Sequence, residues 1–363
     1  MSRYERRKAV PVRVGSITLG GGAKIAIQSM TNTDTHDMEA TLRQTEALAE
    51  AGCDIVRITA PDTESVRTFT YLKEAGITVP LVADIHFNYE IAVAAADAGV
   101  DKIRINPGNI GSDDKVRAVV DACKRNGTPI RIGVNSGSLE RHILERHGSP
   151  TPEALAESAL YHASLLERFD FHDIVLSVKA SSVPDMIAAN RILAERCEYP
   201  LHLGVTEAGG GTSALVKSSI GIGTLLSEGI GDTVRVSLTD DPVREAEAAR
   251  EILRSLRLGE NMGMDIVSCP TCGRTKIGLI PMVEEFKLRA RAEGLDKLNI
   301  KVALMGCAVN GPGEAREADV GIAGGNGEGL VFRRGVTVRK VREDRLIDEL
   351  IREIYAIKDE GQK

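Results

Sequence analysis

Cys269 and Cys272 stand in SCPTCGRT and Cys307 in GCAVNGPGE, a C-x2-C-x34-C spacing that places two thiols on one tight loop and the third after a strand. Thiols so placed can converge on a metal. Structural zinc normally takes a closed set of four Cys and His ligands, and no histidine follows His202. A [4Fe-4S] cubane accepts three Cys and a weaker fourth ligand, leaving one iron replaceable. Glu314, seven residues beyond Cys307, is the nearest candidate for that place. On spacing alone, zinc and a plain group of buried thiols remain open. Cys53, Cys123 and Cys197 are scattered and read as small core residues.

A second chemical pattern is cationic. Arg57, Arg104, Arg131, Lys179 and Arg235 lie on five separate short β-branched runs. Pairings at even spacing put Arg104 with Asn106, Arg131 with Asn135, Lys179 with Ser177 and Arg235 with Ser237 on one face of each strand. Converging like charges repel by about 1 kcal/mol per close pair, a cost that an anionic ligand would offset. The competing reading is rim salt bridges to Asp54, Asp84 and Asp173. EAGGGTS and SLTDDP bring glycines and backbone N–H groups to the same end, as phosphate sites require. GGGAK and GGNGEG lack the GK[ST] of a P-loop and read as turns. Glu207 is the carboxylate placed to move a proton there, or else a counter-ion to an arginine. Asp84 and His86 would stand behind it as supporting groups.

The elements that must position these residues are eight short apolar runs: KIAIQSM, DIVRITA, LVADIH, KIRINPG, PIRIGVN, DIVLSVK, LHLGVTE and TVRVSL. Amphipathic segments alternate with them, several ending in Gly as helix C-caps do. Eight β-α units in about 240 residues make an α/β fold of (β/α)8 TIM-barrel size, with a doubly wound open sheet as the alternative. The barrel is expected over 1–258, with a small α+β domain carrying the cysteines over 259–363. The last barrel helix, from about Pro242 to Leu258, must run back from the catalytic mouth by about 25 Å. Few residues then separate it from the cysteine loop, so a two-fold homodimer with shared sites is the expected working unit.

Composition narrows the function classes. A net charge of -6, no Trp and 3% aromatic residues offer neither a basic footprint nor stacking platforms for nucleic acid. No run approaches the roughly 20 apolar residues of a membrane span. The start MSRYERRKAV lacks an apolar signal core, so a cytoplasmic enzyme is expected. The absence of C-x3-C-x2-C argues against a radical SAM enzyme.

IQSMTNTDT, IRINPGNIG, IRIGVNSGSL, VKASS, LHLGVTEAG, SCPTCGRT and GCAVNGPGEA together resemble the 4-hydroxy-3-methylbut-2-en-1-yl diphosphate synthases, over about residues 8 to 355. The resemblance implies the penultimate step of the methylerythritol phosphate route to isoprenoids. There 2-C-methyl-D-erythritol 2,4-cyclodiphosphate is opened, dehydrated and reduced by two electrons from ferredoxin or flavodoxin. It further implies cluster ligands at Cys269, Cys272, Cys307 and Glu314. Diphosphate contacts would fall on Arg57, Arg104, Asn106, Arg131, Asn135, Lys179, Thr206, Arg235 and Ser237, with Glu207 as proton donor. Strand eight, one helix and the cysteine loop follow directly, as in the bacterial two-domain type. The rivals are a barrel aldolase or synthase of the pterin-binding kind with a structural zinc domain, and a non-enzymatic cysteine-loop binding module.

Overall fold

The computed structural model describes residues 5–259, 263–307 and 315–360. They form two compact units, Met1–Gly259 and Glu260–Lys363.

The first unit opens with an antiparallel hairpin, β1 (Val12–Val14) and β2 (Ile17–Leu19). Eight parallel strands follow: β3 (Ala26–Met30), β4 (Ile55–Thr59), β5 (Leu81–Asp84), β6 (Lys102–Ile105), β7 (Ile130–Asn135), β8 (Ile174–Lys179), β9 (His202–Leu203) and β10 (Thr233–Val234). Each pairs with the next, β10 pairs with β3, and a bridge from Leu176 to Leu201 joins β8 to β9. The ring is therefore closed, and the open-sheet alternative falls. Following the pairing once round returns to β3 eight residues away, the stagger of a (β/α)8 barrel.

That stagger sets which side chains share a level inside. Ile55, Lys102, Val175 and Thr233 lie lowest, then Gln28, Val82, Arg131 and His202, then Arg57, Arg104, Ser177 and Arg235. Sequence reading gave the hairpin no role, but it plugs the barrel: Val12, Val14 and Leu19 pack on Ala26, Ile55, Val82 and Val175.

Helices cover the outside because each β-α segment carries its own start and stop signals. Asp37 accepts from Ala40 N to begin Met38–Glu50, and Gly127, at φ 62°, ends Asp113–Asn126 in a conformation glycine adopts freely. Among the described residues no helix is long and apolar enough to cross a membrane.

The second unit holds a mixed sheet in sequence order: β11 (Asp265–Ser268), β12 (Lys301–Met305), β13 (Val320–Gly324), β14 (Glu328–Arg333) and β15 (Val336–Arg342). The first three strands are parallel and the last two antiparallel. Helices Leu279–Ala292 and Leu346–Glu360 bury Val283, Phe286, Leu346, Leu350 and Ile354 against Val320 and Ile322. GGNGEG is the turn between β13 and β14, as its glycines suggested. β11 did not stand out beforehand, because DIVS has only two apolar residues and is half-exposed.

Candidate active site

Arg57, Asp84, His86, Arg104, Arg131, Gly133, Asn135, Ser177, Lys179, Thr206 and Arg235 line one cavity at the barrel mouth. The five cations therefore converge as their strand ends dictate. Thr206, named only through the family resemblance, is among the lining residues too. Asn106 lies just behind, its Oδ1 accepting from Gly133 N at 3.0 Å. Ser237 is half-buried and outside the lining set. Glu207 is also outside it: the residue is exposed, in the left-handed region at φ 52°.

Two carboxylates orient three of the arginines. Asp84 Oδ1 accepts from Arg104 Nη1 at 3.2 Å, and its Oδ2 lies 3.7 Å from Arg57 Nε. Burial alone would push the Asp84 carboxyl up, but Arg57, Arg104 and Arg131 outweigh it and hold the group at about 2. Arg104 also reaches His86 Nδ1 at 3.2 Å and donates to the Gly133 carbonyl at 2.9 Å. Glu245, on the helix Pro242–Ser255, receives Arg235 through both carboxylate oxygens at 3.0 and 3.2 Å. The same carboxylate accepts from Ser29 Oγ at 2.7 Å and Leu238 N at 3.0 Å. The rim salt-bridge reading thus holds in part: Asp84 pairs as expected, whereas Asp54 binds Lys24 and Asp173 makes no salt bridge among the described residues.

The remaining cations are less well matched. Arg131 is 1% exposed, and its Nε and Nη2 have no hydrogen-bond partner. Burial, then Arg57 and Arg104, drive its guanidinium well below the usual range. Burial, then Arg235, Arg57 and Arg131, do the same to Lys179. Ser177 Oγ is likewise buried and unpartnered. Buried donors without acceptors cost free energy, and a bound phosphate would supply those acceptors. Two glycines make the room: a Cβ on Gly133 would meet Arg104 Nε at 2.6 Å, and one on Gly204 would meet Lys179 Nζ at 2.9 Å.

In the second unit, parallel pairing of β11 with β12 brings Cys269 and the Gly306–Cys307 turn to the same sheet end. Gly306 N donates to Cys269 Sγ at 3.2 Å. Cys272 N donates to Thr275 Oγ1 at 3.1 Å, and Lys276 N to the Gly306 carbonyl at 3.0 Å, fastening the cysteine loop to that turn. Cys272 is exposed, and hydrogen bonds from the Arg274 backbone and side chain lower its thiol. Among the described residues no three His, Cys, Asp or Glu side chains already stand close enough to hold a metal ion. Glu314 lies outside the described residues. Three thiols at adjoining turns, one already accepting a backbone N–H, have the donor chemistry of an iron–sulfur cluster.

Fold and site together define a (β/α)8 barrel with a cationic mouth, followed by a cysteine-bearing α+β unit. The GcpE TIM-barrel domain model matches residues 9–250 and the GcpE protein C-terminal domain model residues 265–356, so the chain belongs to the GcpE family. It is similar to the Clostridium perfringens 4-hydroxy-3-methylbut-2-en-1-yl diphosphate synthase (flavodoxin), at 56% identity over 98% of this chain and 100% of the relative. Proteins of that name from Clostridium tetani and Geobacillus thermodenitrificans are each 53% identical, covering 97% and 98% of this chain and 100% and 94% of the relatives. Among solved structures, type I 3-dehydroquinate dehydratase from Clostridium difficile matches at TM-score 0.51 and 14% identity, over 68% of this chain and 98% of its own. Stenotrophomonas maltophilia dihydropteroate synthase matches at TM-score 0.50 and 14% identity, over 69% and 99%. These two likenesses show the barrel fold alone, so the pterin-type reading gains nothing from them.

Proposed function

We propose that the chain converts 2-C-methyl-D-erythritol 2,4-cyclodiphosphate to 4-hydroxy-3-methylbut-2-enyl diphosphate, with flavodoxin rather than ferredoxin as the electron donor. The carrying observation is the cavity in which Arg57, Arg104, Arg131, Lys179 and Arg235 converge, in a chain aligned end to end with synthases of that name. Cys269, Cys272, Cys307 and Glu314 would hold the [4Fe-4S] cluster. When bound, it supplies two electrons, one at a time.

The chain's own residues bind and orient. Arg57, Arg104 and Arg235, held by Asp84 and Glu245, form a fixed rim of donors, while Arg131 and Ser177 bring unused donors, and Lys179 its ammonium, to the phosphates. Asn106, Asn135, Thr206 and Ser237 set the register of the two phosphates at the strand ends. One ring C–O bond breaks while the diphosphate stays attached through its other ester, a hydroxyl leaves as water with a proton from Glu207, and the two added electrons leave a C=C bond between the two carbons. The left-handed backbone of Glu207 supports that role, since a non-glycine residue in this region carries a strain of order 1 kcal/mol, and such strain concentrates at functional sites.

We infer further that the working unit is a homodimer in which each mouth is completed by the partner's second unit. The support is topological: β10 ends at the mouth, and the helix Pro242–Ser255 then runs back to the opposite end of the barrel. Anaerobically purified protein should be brown, contain about four irons and four sulfides per chain, and turn over the cyclodiphosphate with reduced flavodoxin. Colourless protein with stoichiometric zinc would overturn the reading. Mixed dimers of Glu207→Gln and Cys269→Ser chains, each inactive alone, should recover about half of the wild-type activity per dimer. Mixed dimers that stay inactive with clusters present would refute the shared site.

A further inference from the structure

Beneath the substrate cavity the barrel interior remains polar. Lys102 is 0% exposed, and its Nζ has no hydrogen-bond partner. One level up, Gln28 has both amide atoms unpartnered, Arg131 has two guanidinium nitrogens unpartnered, and His202 has Nε2 unpartnered. Barrel interiors are ordinarily filled by apolar branched side chains at these levels, so a lysine here calls for an account. Leaving such groups unsatisfied destabilises the free protein.

The surroundings of Lys102 are one-sided. Its charged and titratable neighbours are Arg131, Arg57 and His202, with no salt bridge to any carboxylate among the described residues. Its level also carries Ile55 and Val175, on which the apolar hairpin residues Val12, Val14 and Leu19 pack. Burial, with Arg131 and Arg57 adding to it, pushes the Lys102 amine well below its ordinary range. An ammonium in this position becomes favourable only when negative charge comes near. The level above Arg131 carries Arg57, Arg104, Ser177 and Arg235, all of which line the cavity.

We propose that Lys102 is a further positioning residue for the diphosphate, acting from the barrel floor through Arg131 without touching the ligand. Its amine, one level beneath Arg131, holds the guanidinium toward the mouth, and as the ammonium that a bound diphosphate makes favourable it adds long-range attraction in a medium where charges are weakly screened. Among the described residues nothing else at the level of Lys102 carries a charge: Ile55 and Val175 are apolar, and Thr233 is a neutral hydroxyl.

The inference rests on the proposed reading only in taking the ligand to be a diphosphate, so inorganic pyrophosphate serves as the probe beside the cyclodiphosphate. Wild-type holoenzyme that fails to bind pyrophosphate or the cyclodiphosphate would count against the functional reading itself. With binding established, Lys102→Met, which keeps length and loses charge, should weaken pyrophosphate binding by roughly tenfold in calorimetry. KM for the cyclodiphosphate should rise by a similar factor with kcat within about twofold, while Tm without ligand stays level or rises, because a buried amine without a hydrogen-bond partner has gone. Lys102→Gln provides a second neutral variant should the methionine pack poorly. Unchanged affinity in a folded variant overturns the proposal. So does a loss of affinity that tracks a fall in ligand-free Tm in both variants, since that would make Lys102 a packing residue.

Discussion

Asp84→Asn is the sharpest test of how the cavity balances its charge. The substitution keeps size and shape and removes the carboxylate that Arg104 contacts at 3.2 Å and Arg57 approaches to 3.7 Å. Although burial opposes ionisation, the three arginines bring the group from 3.8 to about 2. A shift of that size corresponds to about 2 kcal/mol of stability at neutral pH. Because the folded value is depressed, this stabilisation is fully present above about pH 4 and disappears as pH falls toward 2. Removing the charge leaves the buried guanidiniums uncompensated, so the loss at pH 7 should be about 2 to 4 kcal/mol, seen as a fall of roughly 5 to 10 °C in Tm. Thermal unfolding followed by far-UV circular dichroism, with and without pyrophosphate, measures it. Pyrophosphate should restore Tm more in the variant than in the wild type, since it replaces the missing negative charge, and the deficit should narrow below pH 4. An Asp84→Asn protein that melts with the wild type at pH 7, or whose deficit pyrophosphate does not reduce, would refute the reasoning.

Glu245→Gln should lower stability by about 3 kcal/mol and weaken pyrophosphate binding about tenfold, because an amide NH2 would face the Arg235 guanidinium; urea unfolding and calorimetry report the two effects. Gly204→Ala should selectively weaken diphosphate binding by displacing Lys179, as its Cβ would stand 2.9 Å from Nζ and 2.7 Å from the Arg235 carbonyl; equal affinity by calorimetry would show that the lysine can give way. Cys269→Ser should lose most of the iron and all turnover, whereas Cys123→Ser, buried in a barrel helix, should keep both by iron assay and product formation.

The parts of this architecture legible in the sequence are those with a local cause. Period-two patterning put Arg104 beside Asn106 and Lys179 above Ser177, and the β-α alternation then forced those strand ends to one mouth. What escaped notice depends on pairing between distant segments. Glu245 is read from the chain as one more charge on an amphipathic helix, yet it lies on the same stripe as the buried Ala246, Ala249, Ile252 and Leu253. A carboxylate on an apolar stripe is the available signal; Arg235 stands ten residues upstream in the same β-α unit, whereas Ser29 is joined to it only by barrel closure. Lys102 was hidden for a similar reason. KIRI looks like an ordinary alternating strand, and only the stagger of eight residues shows its lysine at the floor rather than the rim. Glu207 shows the opposite limit: strand position predicted a residue at the mouth, but a left-handed backbone turns the chain there and leaves the side chain outside the cavity of the free protein.

The division between held and unheld cations explains why the site needs both kinds. Arg57, Arg104 and Arg235 have their guanidiniums fixed before any ligand arrives, so they bind phosphate without further loss of side-chain freedom. Were all the cations paired in this way, each carboxylate would repel the diphosphate nearly as much as its arginine attracts it. Arg131 and Lys179 limit that cancellation by making no salt bridge to a carboxylate among the described residues, at the cost of stability in the free chain, where burial and the neighbouring cations disfavour their charged forms. The two carboxylates Asp84 and Glu245 therefore set how much cationic charge the empty barrel tolerates, and the unpaired residues set how strongly it draws an anion in. Ligand binding should then stabilise the protein well beyond its contacts at the rim. At a diphosphate concentration of 100 Kd the linkage contributes about 2.7 kcal/mol, and relief of the internal repulsion enters that gain by lowering Kd.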